Sequence, residues 1–296
     1  MPNSLTLTDG RLDENQIQSY KDNGFLFPIK AVAKDRAQAW REELEKIENE
    51  WIDNGLPHPL STYKRVNTQI VLPLANEIAR TPAILDAVEG ILGPDVMVYA
   101  VEFFIKEPNT THIVSMHQDL TYWGLGATGG LVTAWLALSP ATSQSGCMDF
   151  VAGSHKNEIL PHNDTFDENN LLSRGQEIEV EVKEEDKTPI ELAPGQMSLH
   201  HGLTIHGSGP NASDDRRIGA VIRYCSPDVM QQEGDEDFAI LVRGEDRFGN
   251  FSSYELPDAP FTPESLAIFD RIRTVQATYM MKGARKKAAM YQAEAT

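Results

Sequence analysis

The sequence predicts a mainly β fold, an antiparallel sandwich or barrel flanked by helices, on three observations. From Val96 onward, short extended runs recur between turn residues: VMVYAVEFFIK, GGLVTAWLAL, QEIEVEVKE, TPIELAPGQMSLHH and IGAVIRYCSP. Before them, at about 12–95, and after them, at about 262–290, apolar residues return at helical spacing. No internal repeat, low-complexity linker or composition break divides the 296 residues, so one domain (1–296) with a β-core at about 96–228 is expected.

Each element has its own signal. Leu12-Asp13-Glu14 reads as a helix start, and DNGFLFP breaks into an extended segment. A second helix runs through AVAKDRAQAWREELEKIENEW, with Ala33, Ala37, Trp40, Leu44, Ile47 and Trp51 on one face. EIARTPAILDAVEGILGPD reads as a helical pair stopped by Gly93-Pro94. In QEIEVEV, Ile178, Val180 and Val182 alternate with glutamates, which predicts a half-buried strand. The last helix carries Arg271, Arg273, Lys282, Arg285, Lys286 and Lys287, read as a solvated basic face.

Composition removes several classes of function. Apolar residues at 41% supply a sizeable core, and a formal charge of −18 argues against general nucleic-acid binding and against anionic membrane surfaces. No apolar run reaches the ~20 residues that span a bilayer, and the N-terminus lacks a secretory pattern. With only Cys147 and Cys225, no disulfide framework is expected, and the reading is of a reducing, cytoplasmic setting. The implied partner is a small molecule; nothing in the pattern addresses oligomeric state.

The chemistry concentrates in the eight histidines. On a strand, His117 and Asp119 of MHQD point to one face, so an imidazole and a carboxylate can take adjacent positions on a divalent metal. Some 89 residues later, LHHGLTIHGSG offers His200, His201 and His206. Two histidines and one carboxylate with open positions form the facial triad of non-haem Fe(II) oxygenases; a zinc site of that composition is the alternative, without an evident fourth ligand. Parity leaves the third ligand open: His200 and His206 share a face of an unbroken strand and His201 takes the other, while the glycines after His206 favour it. Arg216-Arg217 then enters an apolar strand, where a guanidinium must find an anion, a surface partner or solvent.

Taken in order, His117-Gln118-Asp119, Trp135-Leu136-Ala137-Leu138, Gly146-Cys147-Met148, Gly153-Ser154-His155-Lys156, His206-Gly207-Ser208-Gly209-Pro210-Asn211 and Arg217 resemble the phytanoyl-CoA dioxygenase family, as does the stretch leading to Asp22-Asn23-Gly24-Phe25. The resemblance runs over about 12–250. It implies a double-stranded β-helix (the jelly-roll, cupin-like barrel) that uses Fe(II), 2-oxoglutarate and O2 to hydroxylate an unactivated C–H of a small metabolite, releasing succinate and CO2. By the same resemblance His117, Asp119 and His206 bind iron, and Arg217 clamps the distal carboxylate of 2-oxoglutarate. Ser208 and Trp135 line that pocket, and Tyr99 touches the co-substrate. His201 resembles a structural position, which leaves His200 without a role. A carboxylate at Asp119, where related halogenases carry a small residue, points to hydroxylation. Alternatives are desaturation, cyclisation or demethylation on the same iron, or a cupin-like barrel that binds a metal or ligand without turnover. Residues 157–175 and Arg243-Gly244-Glu245-Asp246 are candidate lids. The substrate expected is small and polar or anionic, with Tyr63-Lys64-Arg65 a possible anion contact.

Overall fold

Asp13 opens the first helix, α1 (Glu14–Asn23), in the computed structural model, which describes residues 5, 7, 11–284 and 288–291. Its carboxylate accepts from the Gln16 backbone while the Gln16 side chain accepts from the Asp13 N–H, a reciprocal cap. Gly24 ends the helix at φ 84°, a left-handed conformation open to glycine, and turns the chain into β1 (Phe25–Lys30). Four helices follow: α2 (Lys34–Trp51), α3 (Leu60–Arg65), α4 (Pro73–Ala79) and α5 (Pro82–Leu92). α4 and α5 each begin with proline at the first turn, where its missing N–H costs nothing.

The strands are β2 (Val96–Lys106), β3 (Val114–His117), β4 (Leu131–Ala137), β5 (Met148–Val151), β6 (His162–Asp164), β7 (Gln176–Ile178), β8 (Lys187–Ile190), β9 (Gln196–His201), β10 (His206–Ser208), β11 (Arg217–Cys225) and β12 (Ile240–Arg243). They form a six-stranded sheet in the order β1-β9-β4-β11-β2-β12 and a four-stranded sheet in the order β3-β10-β5-β8, with β6-β7 as a separate hairpin. All these named pairings are antiparallel. The curled sheets face one another as a double-stranded β-helix. α6 (Pro263–Met280), capped by the Thr262 hydroxyl, closes the described helices.

β11 shows why the large sheet is apolar on both faces. Ile218, Ala220, Ile222 and Tyr224 join Tyr63, Leu74, Ile78 and Val88 in the core between sheet and helices. Alternate residues turn inward, where Val221 and Trp135 meet Met148, Phe150 and Ile190 of the small sheet. A strand covered on both sides carries no polar face, so any charge on it lies inside the barrel. Arg217 and Arg223 share the inward parity, and both are buried.

The structure corrects some expectations. The strand read into QEIEVEV stops at Ile178, and Val180 is exposed; the following acidic residues form a turn ending at Asp186. Like charges along that stretch are best separated in water, which outweighs the alternation. The C-terminal helix ends at Met280, and its basic residues do not form one solvated face. Arg273 is buried, Arg271 pairs with Glu236 and Lys282 with Glu233, while Arg285, Lys286 and Lys287 lie outside the described residues. Among the described residues no helix is long and apolar enough to cross a membrane.

Candidate active site

His117 is the last residue of β3, and Gln118 keeps an extended backbone (φ −117°, ψ 128°) into the turn that begins at Asp119. The i,i+2 relation therefore survives although the strand has ended. Gln118 points the other way, fully buried: its amide donates to the Leu203 carbonyl and its oxygen accepts from the Leu160 N–H. That clamp fixes the backbone between the two acid–base side chains.

The strand carrying His200 breaks at Gly202 and restarts at His206 in the other sheet. β10 pairs with β3 so that His206 lies opposite His117. Each imidazole donates its Nδ1–H to the carbonyl two residues before it, His117 to Ser115 and His206 to Thr204, both at 2.9 Å. A carbonyl only accepts, so Nδ1 carries the proton in each ring and Nε2 is the nitrogen turned toward a metal. The two Nε2 atoms face the same carboxylate oxygen, Asp119 Oδ1, at 3.4 Å and 4.0 Å. The three donor atoms lie within 4.8 Å of one another, all on buried residues, a set that can hold one metal ion.

The other oxygen of Asp119 is held from behind. The Thr133 hydroxyl donates to Oδ2 at 3.4 Å, and His200 Nε2 stands 3.8 Å from it. Burial acts to raise the Asp119 carboxyl, but His117, His200 and the charge of Arg223 outweigh it and hold it well below the usual carboxylate range. Burial drives the His206 imidazole well below its ordinary value, with the neighbouring His117 adding to it, which keeps it neutral. His200, for which the sequence offered no role, thus sits between Phe150 and His206 against the carboxylate. His201 occupies the opposite face of β9 beside His155, and its Nδ1 accepts from the Leu203 N–H.

A cavity opens beside these residues, lined by His117, Asp119, His206, Trp135, Ser208 and Arg217 among others. Arg217 is 1% exposed, and its Nε and Nη2 have no hydrogen-bond partner. Its guanidinium lies over the Trp135 ring at 5.3 Å. Gly219 makes that possible: a Cβ there would fall 2.0 Å from the indole. Burial pushes the Arg217 guanidinium down to about 10. An uncompensated buried cation with free donors is a site for an anion.

Lys106, missed in the sequence, is the cross-strand partner of Arg217 and fully buried. Its ammonium donates to Ser208 Oγ at 2.7 Å and to the Ser208 and Gly209 carbonyls. Burial, then the charge of Arg217, push it down to about 6. The available signal was a lysine ending a strand whose other residues are apolar or aromatic apart from Glu102. Tyr99 is a correction: it does not line this cavity. The register slips between Arg223–Ala100 and Tyr224–Val98, and Tyr99 in that bulge donates instead to Asp237 at 3.0 Å. Phe104, two turns of the pleat further along β2, takes the cavity position.

Of the candidate lids, Leu172 of the 157–175 segment borders the cavity. The Arg243–Asp246 segment is anchored elsewhere, Arg243 on Asp86 and Glu89 and Glu245 on Asp95.

Residues 20–219 match the phytanoyl-CoA dioxygenase (PhyH) family. Peroxisomal phytanoyl-CoA dioxygenase of Homo sapiens is 27% identical over 247 residues, covering 75% of this chain and 71% of that protein. A probable alpha-ketoglutarate-dependent hypophosphite dioxygenase of Stutzerimonas stutzeri is 28% identical over 194 residues, covering 64% of this chain and 61% of that one. Among solved structures, the apo form of the non-heme monooxygenase ThoJ superimposes with a TM-score of 0.80 at 31% identity, over 90% of this chain and 97% of that one. CytC3 with Fe(II) and alpha-ketoglutarate follows at 0.62 and 18% identity, over 86% and 97%, a likeness of fold.

Proposed function

The chain belongs to the phytanoyl-CoA dioxygenase family, and on that premise we propose that it uses His117, Asp119, His206 and Arg217 to hydroxylate an unactivated C–H of a small metabolite as an Fe(II)- and 2-oxoglutarate-dependent dioxygenase. One observation carries the assignment of residues: two Nε2 atoms and one carboxylate oxygen converge beside a buried, unpartnered guanidinium. Neutral imidazoles and an ionised carboxylate are the donor set of non-haem iron, and the unpartnered guanidinium of Arg217 suits the distal carboxylate of a dianionic co-substrate.

When bound, iron(II) and 2-oxoglutarate supply the oxidising power for C–H cleavage, drawn from O2 and the decarboxylation that yields succinate and CO2. The protein's residues hold and insulate that chemistry. His117 and His206 present Nε2 because their Nδ1–H atoms are tied to carbonyls. Thr133 and His200 fix Oδ2 of Asp119, leaving Oδ1 to the metal. Arg217 takes the distal carboxylate. Ser208, whose Oγ already accepts from Lys106, keeps its O–H free to donate to the same group. Trp135 walls that pocket, and Phe104, Val114, Met148 and Leu172 make the remaining lining apolar, which excludes water from a reactive centre. We take 1–296 as a single catalytic domain. The two free, buried cysteines Cys147 and Cys225 support a reducing, cytoplasmic setting.

The test is anaerobic addition of Fe(II) and then 2-oxoglutarate to the apo-protein. A visible charge-transfer band that disappears in His117→Ala is expected, followed by 2-oxoglutarate-dependent succinate release with O2. Bound metal without the band in the wild-type protein would overturn the assignment.

A further inference from the structure

A second cavity meets the first across the triad: both are bordered by His117, Asp119, Phe104, Leu172 and Arg223. Arg217, Trp135 and Ser208 do not border it; Arg65, Glu102, Tyr122 and Trp123 do. Its charge does not balance. Arg65 and Arg223 are two buried guanidiniums that share one carboxylate, Glu102, at 3.8 Å and 2.5 Å. Asp119, the other acid on the wall, is engaged in the triad.

Neither arginine is saturated. Arg223 spends one hydrogen bond on Glu102, and Arg65 spends one on the Leu171 carbonyl at 2.9 Å. Both Nε atoms are buried with no hydrogen-bond partner, and the side chains are 8% and 16% exposed. The rest of each guanidinium is pressed on an aromatic ring, Arg65 over Phe104 at 3.7 Å and Arg223 over Trp123 at 4.6 Å. Stacking holds the planes in place and leaves their edges to an acceptor. Buried cations in excess of their acids are retained where an anion arrives to complete them. A planar carboxylate fits a guanidinium edge in bidentate fashion.

We propose that this second cavity seats the primary substrate and that the substrate carries a carboxylate, taken by Arg65 and Arg223, with an apolar or aromatic body along Trp123, Tyr122 and Phe104. Resting on the dioxygenase reading, the inference narrows its substrate class. Glu102 restrains both arginines and sets the affinity low enough for product to leave. Met280, the last residue of α6, and Tyr291 beyond it also border the cavity. The carboxylate end of the substrate is thereby fixed on the β2–β11 wall, and the body reaches toward the metal face of Asp119.

The experiment uses the anaerobic protein loaded with Fe(II) and 2-oxoglutarate, and three probes of one shape: 3-phenylpropanoate, 3-phenylpropanamide and 3-phenylpropylamine. Paramagnetic broadening of probe proton resonances reports binding beside the metal. The acid is expected to bind about tenfold more tightly than the amide, the worth of one charge-assisted contact, and the amine most weakly. Arg65→Met, at a residue that borders only the second cavity, should erase that preference while the 2-oxoglutarate band persists, and Glu102→Gln should strengthen acid binding. Where an arginine variant loses the band through misfolding, Glu102→Gln decides. Equal ranking, a preference for the amine, or no broadening of the acid at millimolar concentration each overturns the inference alone. So does an arginine variant that weakens 2-oxoglutarate but leaves the ranking intact. Absence of the band in the wild-type protein sinks the dioxygenase reading and this inference with it.

Discussion

Replacing Arg217 by methionine separates the cost of holding a buried cation from what that cation binds. Its guanidinium is 1% exposed, with Nε and Nη2 free. If 2-oxoglutarate completes two charge-assisted hydrogen bonds there, each worth about 1.5–3 kcal/mol, the variant loses roughly 3–6 kcal/mol of binding. At 1.4 kcal/mol per decade this is on the order of a hundredfold or more in Kd. The apo-protein should respond in the opposite sense. Burial pushes Arg217 down to about 10, so the empty pocket carries an unfavourable charge, and methionine keeps the length and apolar contact with Trp135. The melting temperature of the apo-variant is therefore expected to equal or exceed that of the parent. Anaerobic titration of the Fe(II) protein with 2-oxoglutarate, read by visible absorption, gives the first quantity, and thermal unfolding without ligands gives the second. A variant that binds 2-oxoglutarate within about threefold of the parent would refute the assignment. A large fall in apo-stability would show instead that Arg217 is a structural cation satisfied by the fold.

Other outcomes follow from the same geometry. His117→Ala is expected to lose Fe(II) at stoichiometric concentration, measured by metal analysis after gel filtration, because two of three donors do not hold the ion against water. Gly219→Ala drives a methyl into the Trp135 indole, where the overlap of a 2.0 Å approach costs about 1–3 kcal/mol in urea unfolding and weakens 2-oxoglutarate. Lys106 sits at about 6 in the fold against an ordinary lysine value, because of burial and then Arg217. Between those values the unfolded chain binds the extra proton, so this group's contribution to apo-stability rises with pH above about 6 and is lost as pH falls toward it. The difference in unfolding free energy between parent and Lys106→Met should carry that slope; parallel pH profiles would remove Lys106 as its source.

How far the sequence reaches can be seen on β11. The sequence showed an apolar strand entered by arginines, and the sandwich-or-barrel layout followed from short strands at that spacing; that Arg217 rather than Arg216 serves the site came from the family resemblance alone. The HxD spacing put His117 and Asp119 on one face, which the backbone at Gln118 preserves past the strand end. The third histidine was undecidable by parity, because the parity argument assumed one strand where the chain changes sheet between His201 and His206. Tyr99 was misplaced for a related reason: one bulge residue inverts the faces of everything beyond it, and no residue type in VMVYAVEFF announces the bulge. Lys106 and His200 acquire their surroundings from strands about 100 and 80 residues away in the chain, a pairing that only the closed barrel supplies.

The spacing of the two inward arginines on β11 connects these observations. Residues of one parity on one strand recur at about 6.6–6.8 Å, so Arg217 and Arg223 stand roughly 20 Å apart along the barrel. The triad is supplied largely by the opposite sheet; Arg217 borders the first cavity alone, and Arg223 stands where the two cavities meet. Arg217 faces Lys106 and Arg223 faces the Glu102 side of β2. Arg217 thereby meets the first pocket with no carboxylate paired to it, whereas Arg223 is restrained by Glu102. The first suits a co-substrate that must be bound firmly before every turnover, and the second suits a molecule that must enter and leave. Arg65 borders the second cavity and not the first, so an Arg65→Glu substitution inverts only the second. It should leave the 2-oxoglutarate band in place, abolish binding of 3-phenylpropanoate and admit 3-phenylpropylamine, whereas loss of the band together with acid binding would mean that the two pockets are not independent.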